Sequence, residues 1–210
     1  DLDDMINEID KWVAPGSTLT SFALADEAER MQVLVEGGLN LDFKNMELFN
    51  LRGNPVILRH LQEKLSIENF SSIIVLTESV DEDNNPLTPL NCDSRTLVTV
   101  LLIRDIQKSK NAKGALVCEI LDPRTEKLLA LAKLDDFLSS NDLVSMALGQ
   151  VAKESDIHGL LDVIFSPEGD ELYIKDIRLY AVNGETLNWW EITARARMRG
   201  EVAMGFMRQE

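Results

Sequence analysis

The chain alternates short apolar runs with amphipathic helical stretches four times within its first 135 residues, and that alternation restricts it to a parallel α/β architecture. Leu2, Met5, Ile6, Ile9 and Val13 have the spacing of one helix face, and Pro15-Gly16 stops that helix. Leu19–Leu24 reads as a strand. Asp26 and Glu29 form a capping-box pattern opening a helix that Gly37-Gly38 ends. Met46–Leu51 is a second strand. After Gly53, Asn54 is placed to cap a helix with Pro55 at its first position. Ser72–Thr77 holds Ile73-Ile74-Val75-Leu76, the uninterrupted apolar pattern of a parallel strand buried on both faces. Asp93–Gln107 is predicted helical, with Leu97, Val98, Leu101, Leu102 and Ile106 on one face, followed by a strand at Ala115–Leu121 and a helix capped by Asp122-Pro123. The fold class expected is a Rossmann-like, doubly wound parallel sheet.

Near residue 135 the rhythm changes. Ser140–Lys153 and Asp156–Phe165 read as successive helices, Leu172–Ala181 as a strand, Leu187–Met198 as a helix and Val202–Phe206 as a strand. The expected organisation is a Rossmann-like lobe over 1–138 with its first strand missing upstream, a helical crossover over 139–166, and part of a small C-terminal α/β lobe over 167–210.

Charge narrows the partners. Thirty-six acidic against 21 basic residues give a formal net charge of −15, which argues against nucleic-acid backbones and anionic lipid surfaces. Carboxylate surplus suits solubility, divalent cations or basic partners. The longest apolar runs fall far short of the roughly 20 residues a membrane helix needs. The acidic Asp1–Asp4 is unlike the basic start of a secretory leader. Cys92 and Cys118 make no CxxC pair and fit a reducing compartment, each read as a structural thiol.

Catalytic constellations are scarce. The sequence contains no GxSxG elbow, no GxxxxGK[ST] loop and no HExxH, and His60 and His158 lack metal-ligand spacing. The glycine-rich dinucleotide turn belongs between a first strand and a first helix, and the chain opens in that helix. Asp26 has the position of a ribose-binding carboxylate, and capping accounts for it equally well. Arg195, Arg197 and Arg199 stand two apart and cannot share one helix face. Trp189-Trp190 reads as core packing before interface.

The loop Glu78–Asp93 is the most suggestive segment. Glu78, Asp81, Glu82, Asp83 and Asp93, with Asn84, Asn85 and Asn91, offer the oxygen donors that hard cations such as Ca²⁺ take, and no Lys or Arg intervenes. Asp81–Asn85 matches the opening of an EF-hand loop, but Pro86 stands at the glycine position and Cys92 at that of the bidentate glutamate, so it is not an EF-hand. A solvated acidic loop is the alternative.

Several long strings resemble the Castor/Pollux family of ion channels: DSRTLVTVLLIRDIQ (Asp93–Gln107), EILDPRTEKLL (Glu119–Leu129), SNDLVSMAL (Ser140–Leu148), and also DLDDMI, APGS, GNPVILRHL and RARMRGEVAMGF. The resemblance spans nearly the whole chain in order. It implies a tetrameric cation channel, potassium among the ions considered, with two cytosolic RCK domains (regulators of K⁺ conductance) per subunit. Eight such domains form a gating ring, and this chain resembles the second of the pair. Its partners would be the other RCK domains of a homotetramer and a transmembrane pore outside these residues, with no nucleic acid. The resemblance further implies Ca²⁺ as ligand, a nuclear-envelope location, no enzyme activity, and a turn that departs from the NAD fingerprint. The loop Gln107–Gly114 is shorter than in the plant members, and Gly149 stands where they tend to carry alanine. An NAD(H)-binding dehydrogenase or a stand-alone nucleotide-sensing K⁺-transport regulator is the alternative.

Overall fold

The computed structural model describes residues 2–80, 85–125, 137–166 and 172–207. It divides into two compact units, Asp1–Gly159 and Leu160–Glu210.

In the first unit, helix α1 (Leu2–Trp12) leads to strand β1 (Ser17–Ala23), helix α2 (Glu27–Gly37) and strand β2 (Met46–Arg52). β1 and β2 pair in parallel from Ser17 opposite Met46 to Ala23 opposite Arg52. Helix α3 (Leu58–Lys64) carries the chain to β3 (Ser72–Val75), and α4 (Pro89–Lys110) carries it to β4 (Ala115–Ile120). β5 (Phe137–Ser139) follows, and β3, β4 and β5 form a second parallel sheet in that order. Helix α5 (Ser140–Lys153) completes the unit, and α6 (Ile157–Ile164) runs across the division. Every strand pair is parallel and helices separate β1 from β2, β2 from β3 and β3 from β4, so the fold is of the expected Rossmann-like α/β kind.

Local sequence explains the element ends. Asp26 accepts from the Ala28 amide at 3.1 Å, which is the capping role. Gly38 closes α2 at φ 119°, a left-handed position that favours glycine. Asn54 behaves differently from the expectation. Its side chain accepts from Val56 N–H and shapes a turn at Pro55-Val56, and α3 starts only at Leu58. His60, half-buried, accepts at Nδ1 from the Asn54 amide at 3.0 Å and so braces that turn.

Two cores result. One gathers Ile6, Leu34, Leu39 and Met46 between α1, α2 and the first sheet. The other packs Val100, Ile103 and Ile106 of α4 on Val75, Leu116, Cys118 and Ile120, with Leu61 of α3. At about 25 cal/mol per Å² of apolar surface removed from water, such side chains contribute most of the stabilisation.

The buried stripe of α4 only partly matches the expected one. Of the expected stripe, Ile106 is buried and Leu97 and Leu102 pack against the core, but Val98 and Leu101 are exposed, and Thr96, Thr99, Val100 and Ile103 are buried in their stead. β3 is covered on one face only: Val75 is buried and Ile74 exposed. An apolar run alone cannot report which face a neighbour covers.

In the second unit, helix α7 (Trp189–Met198) is opened by a capping box, with Asn188 accepting from Glu191 N–H and Glu191 accepting from Asn188 N–H. Glu185 binds the Arg195 guanidinium, which also donates to the Tyr180 carbonyl at 2.8 Å. Trp189 packs on Phe206 with ring centroids 6.5 Å apart, but Trp190 is exposed. The strands expected at Leu172–Ala181 and Val202–Phe206 do not form among the described residues; Ile174 and Val202 are each 88% exposed, with no neighbouring strand to satisfy the backbone.

Candidate functional site

Parallel strands bring their carboxyl ends to one side, and in open α/β sheets that side binds ligands. Here the ends of β3, β4 and β5 carry a polar network. Glu119, next to the last residue of β4, accepts from the Thr77 hydroxyl at 2.8 Å, the Thr77 amide at 3.2 Å and the Ser140 hydroxyl at 2.6 Å. One carboxylate thus ties the segment after β3 to the start of α5. Burial alone would raise its pKa, but the Ser140 and Thr77 hydrogen bonds outweigh that and hold it below the ordinary glutamate value.

A pH dependence follows from that direction. Because the folded pKa is lowered, the stability from Glu119 is fully present above the unfolded value near 4.3 and is lost as pH falls through the folded one. Melting of the wild type and Glu119→Gln should therefore differ at pH 7 and converge toward pH 3. A gap that stays constant with pH overturns this role.

Asp93, in the second turn of α4 and 1% exposed, accepts from the Leu121 and Asp122 amides, each at 2.9 Å. It fastens α4 to the end of β4. Asp122 in turn accepts from Arg124, whose guanidinium holds its carboxyl down to about 2. Burial, with Asp93 alongside, raises the Cys92 thiol. That makes it a poor nucleophile at neutral pH, in keeping with a structural thiol.

The acidic loop is pinned at its base. Val80 and Pro86 form an isolated antiparallel bridge, and Leu87 N–H donates to the Ser79 carbonyl at 2.8 Å. Thr88 then caps α4. Glu78 pairs with Arg95 at 3.0 Å, and Asp93 uses both carboxyl oxygens on backbone amides. Asp81, Glu82 and Asp83 lie outside the described residues. Of the five candidate ligands, Glu78 and Asp93 are thus already engaged with other partners. No group of three or more His, Cys, Asp or Glu side chains among the described residues is arranged to hold a metal.

Two anchoring residues escaped the sequence reading. Asp10 accepts from the Lys44 and Asn45 amides at 2.9 Å each, locking α1 to the loop before β2. The guanidinium of Arg30, on α2, donates to the Asn50 side chain and to the Ser21 and Leu51 carbonyls of the first sheet. Neither has a local signature, since both partners are distant in sequence. An open depression of about 360 Å³ beside Leu41, Phe43 and Met46 lies at the opposite, amino-terminal end of β2.

The fold and the polar strand ends define a parallel-sheet α/β domain, with no helix among the described residues long and apolar enough to cross a membrane. No protein-family model matches the chain. Curated relatives do. The chain is 38% identical to the ion channel CASTOR of Lotus japonicus, 36% to the probable ion channel POLLUX of Arabidopsis thaliana and 35% to the ion channel DMI1 of Medicago truncatula, in each case over 98% of its length. It belongs to the Castor/Pollux ion channel family. It spans about a quarter of the length of these relatives: 27%, 28% and 26%. The alignment with the Lotus protein covers 234 positions, more than the 210 residues of the chain, so the relative carries insertions.

Proposed function

We propose that this chain is a regulatory gating module, an RCK-type domain of a cation channel that couples ligand binding, with Ca²⁺ as the ligand, to opening of a pore outside these residues. The observation that carries the reading is the similarity of the chain, over 98% of its length, to one segment of proteins named as ion channels. The module works on the cytosolic side of the membrane, as one of several such domains in a tetrameric ring, and it is not an enzyme.

Three features support this. Helix α5 buries none of its residues, and Val144, Met146 and Leu148 are 56–64% exposed. Val98 and Leu101 on α4 are likewise exposed. Apolar helix faces left open in one copy are what ring assembly between copies covers. The acidic first turn of α1, Asp3 and Asp4, opposes a dinucleotide pyrophosphate at that helix end, which argues against NAD there.

Mechanically, α4 links the two ends of the coupling. Its first turns follow the acidic loop, Asp93 holds the end of β4, and its outer face carries Val98 and Leu101. A cation drawn to Asp81–Asp83 shifts the ring only by its differential affinity for two arrangements, roughly 10⁴-fold to move 1:99 to 99:1. Several sites per ring share that factor.

The test is calorimetric titration of CaCl₂ into the chain, beside the variant Asp81→Asn, Glu82→Gln, Asp83→Asn, with Ca²⁺-dependent current of the parent channel as the functional readout. Saturable binding and current response, both lost in the variant, are expected. Unchanged heat and unchanged thermal stability on adding Ca²⁺ would sink the cation reading.

A further inference from the structure

Asn183-Gly184 is the only Asn-Gly step in the sequence. It forms the centre of a turn in the second unit: Glu185 N–H donates to the Val182 carbonyl at 3.0 Å, and Gly184 has φ 84°. Asn183 keeps a negative φ, so the turn is of type II, whose third residue takes the left-handed region that glycine tolerates. Asn183 and Gly184 are both exposed. Neither the Asn183 side-chain amide nor the Gly184 N–H makes a hydrogen bond among the described residues. A Cβ on Gly184 would meet no atom within 4 Å, so nothing crowds its nitrogen.

Other asparagines lack this combination. Asn54 precedes Pro55, which has no N–H. Asn111 precedes Ala112, whose N–H is bound to the Gln107 carbonyl at 2.8 Å. The side-chain oxygen of Asn188 is held by Glu191 N–H at 3.0 Å.

We propose that Asn183 is a modification site, which the folded protein converts without an enzyme to aspartate and isoaspartate through a cyclic imide. The Gly184 nitrogen attacks Cγ of Asn183, the new N–Cγ bond closes the ring, and Nδ2 leaves as ammonia carrying the proton that the Gly184 nitrogen gives up. Water then opens the imide. Cleavage at Cγ yields aspartate, and cleavage at the Asn183 backbone carbonyl yields isoaspartate, with the chain running through the former side chain. One water is consumed and one ammonia released, with no oxidation or reduction.

The consequence falls on Glu185. Its carboxylate accepts from Val182 N–H at 3.0 Å and clamps the Arg195 guanidinium of α7 at 2.6 and 2.8 Å. Aspartate at 183 places a new negative charge two residues from that carboxylate. Isoaspartate also adds a methylene to the backbone inside the turn, which breaks the Val182–Glu185 hydrogen bond and loosens the clamp. The modification is thus a slow, one-way weakening of the hold on α7.

The test is peptide mass spectrometry on the folded protein, incubated at about pH 6 and about pH 8, beside Asn183→Gln and Asn183→Asp. Expected is a gain of about 1 Da at residue 183 ahead of every other asparagine, faster at the higher pH because the deprotonated nitrogen attacks. The product should separate chromatographically into two peptides of equal mass, and Asn183→Gln should stay unchanged. In the isoaspartate form the Glu185 amide should exchange about tenfold faster with solvent, and in Asn183→Asp much less so. No mass gain in the folded protein, while the same peptide cut free converts, overturns the proposal, because the turn then shields the amide. Conversion led by another asparagine also overturns it. Unchanged Glu185 exchange after conversion overturns the weakening of the clamp.

Discussion

Replacing Asp93 with alanine is expected to lower the unfolding free energy of the first unit by about 4 kcal/mol, the cost of two buried amides left without an acceptor at roughly 1–3 kcal/mol each. The side chain is 1% exposed and receives Leu121 N–H and Asp122 N–H at 2.9 Å each. Both donors sit at the end of β4, beside Cys118 and Ile120 in the core, where water cannot replace the carboxyl oxygens without opening the packing. Asp93→Asn keeps one acceptor and turns an N–H₂ group toward the second amide, so about half the loss is expected there. Denaturant midpoints of the three proteins check the order. A loss under about 1 kcal/mol in the alanine variant would mean that water reaches the two amides, and the anchoring role would fall. The same measurement separates structure from ligand binding. An anchor weakens the fold with or without Ca²⁺, whereas a ligand carboxylate alters stability mainly when the cation is present.

Asp93 also shows why the fold was legible in the sequence while the site was only partly so. Periodicity is local: the helix around Asp93 and the strand at Ala115–Leu121 follow from a dozen residues each, and both formed. The partner of a side chain is not local. Asp93 meets residues 28 and 29 positions away, and Glu119 meets Thr77 42 positions away. An acidic residue near a helix start therefore reads equally as a cap, a ligand or an anchor until the sheet is assembled. The same limit explains α4, whose sequence offers apolar residues all round. Coverage by the sheet selects Val100 and Ile103 as inward and leaves Val98 and Leu101 outward. In the second unit the apolar runs have the composition of strands, yet a strand needs a neighbour as well as a propensity, and Leu172–Ala181 has none among the described residues. Strings such as DSRTLVTVLLIRDIQ pointed to the family, because residue identity over long spans carries more information than any hydrophobic pattern.

Gly114→Ala is the second change with a large expected effect, about 3 kcal/mol, at the upper end of the range for forcing extra volume into a packed site. A Cβ at that position would stand 2.3 Å from the Phe70 carbonyl oxygen. The obstacle is backbone, so no side-chain rotation relieves it. Gly114 lies immediately before β4 and Phe70 shortly before β3, where Ala115 N–H donates to the Ser71 carbonyl at 2.9 Å and the parallel register opens with Ser72 opposite Ala115. A methyl group there pushes apart the first rung of the ladder and pulls on Gln107, whose side-chain amide donates to the Gly114 carbonyl at 2.9 Å. Gly149→Ala is the matched control, because its Cβ would meet no atom within 4 Å and α5 should gain about 0.5–1 kcal/mol of helix propensity. The expected result is a fall of roughly 6–12 °C in the melting of the first unit for Gly114→Ala and a small rise for Gly149→Ala. If Gly114→Ala melts with the wild type, the two strand entrances are not in contact, and the β3–β4 pairing drawn from them fails.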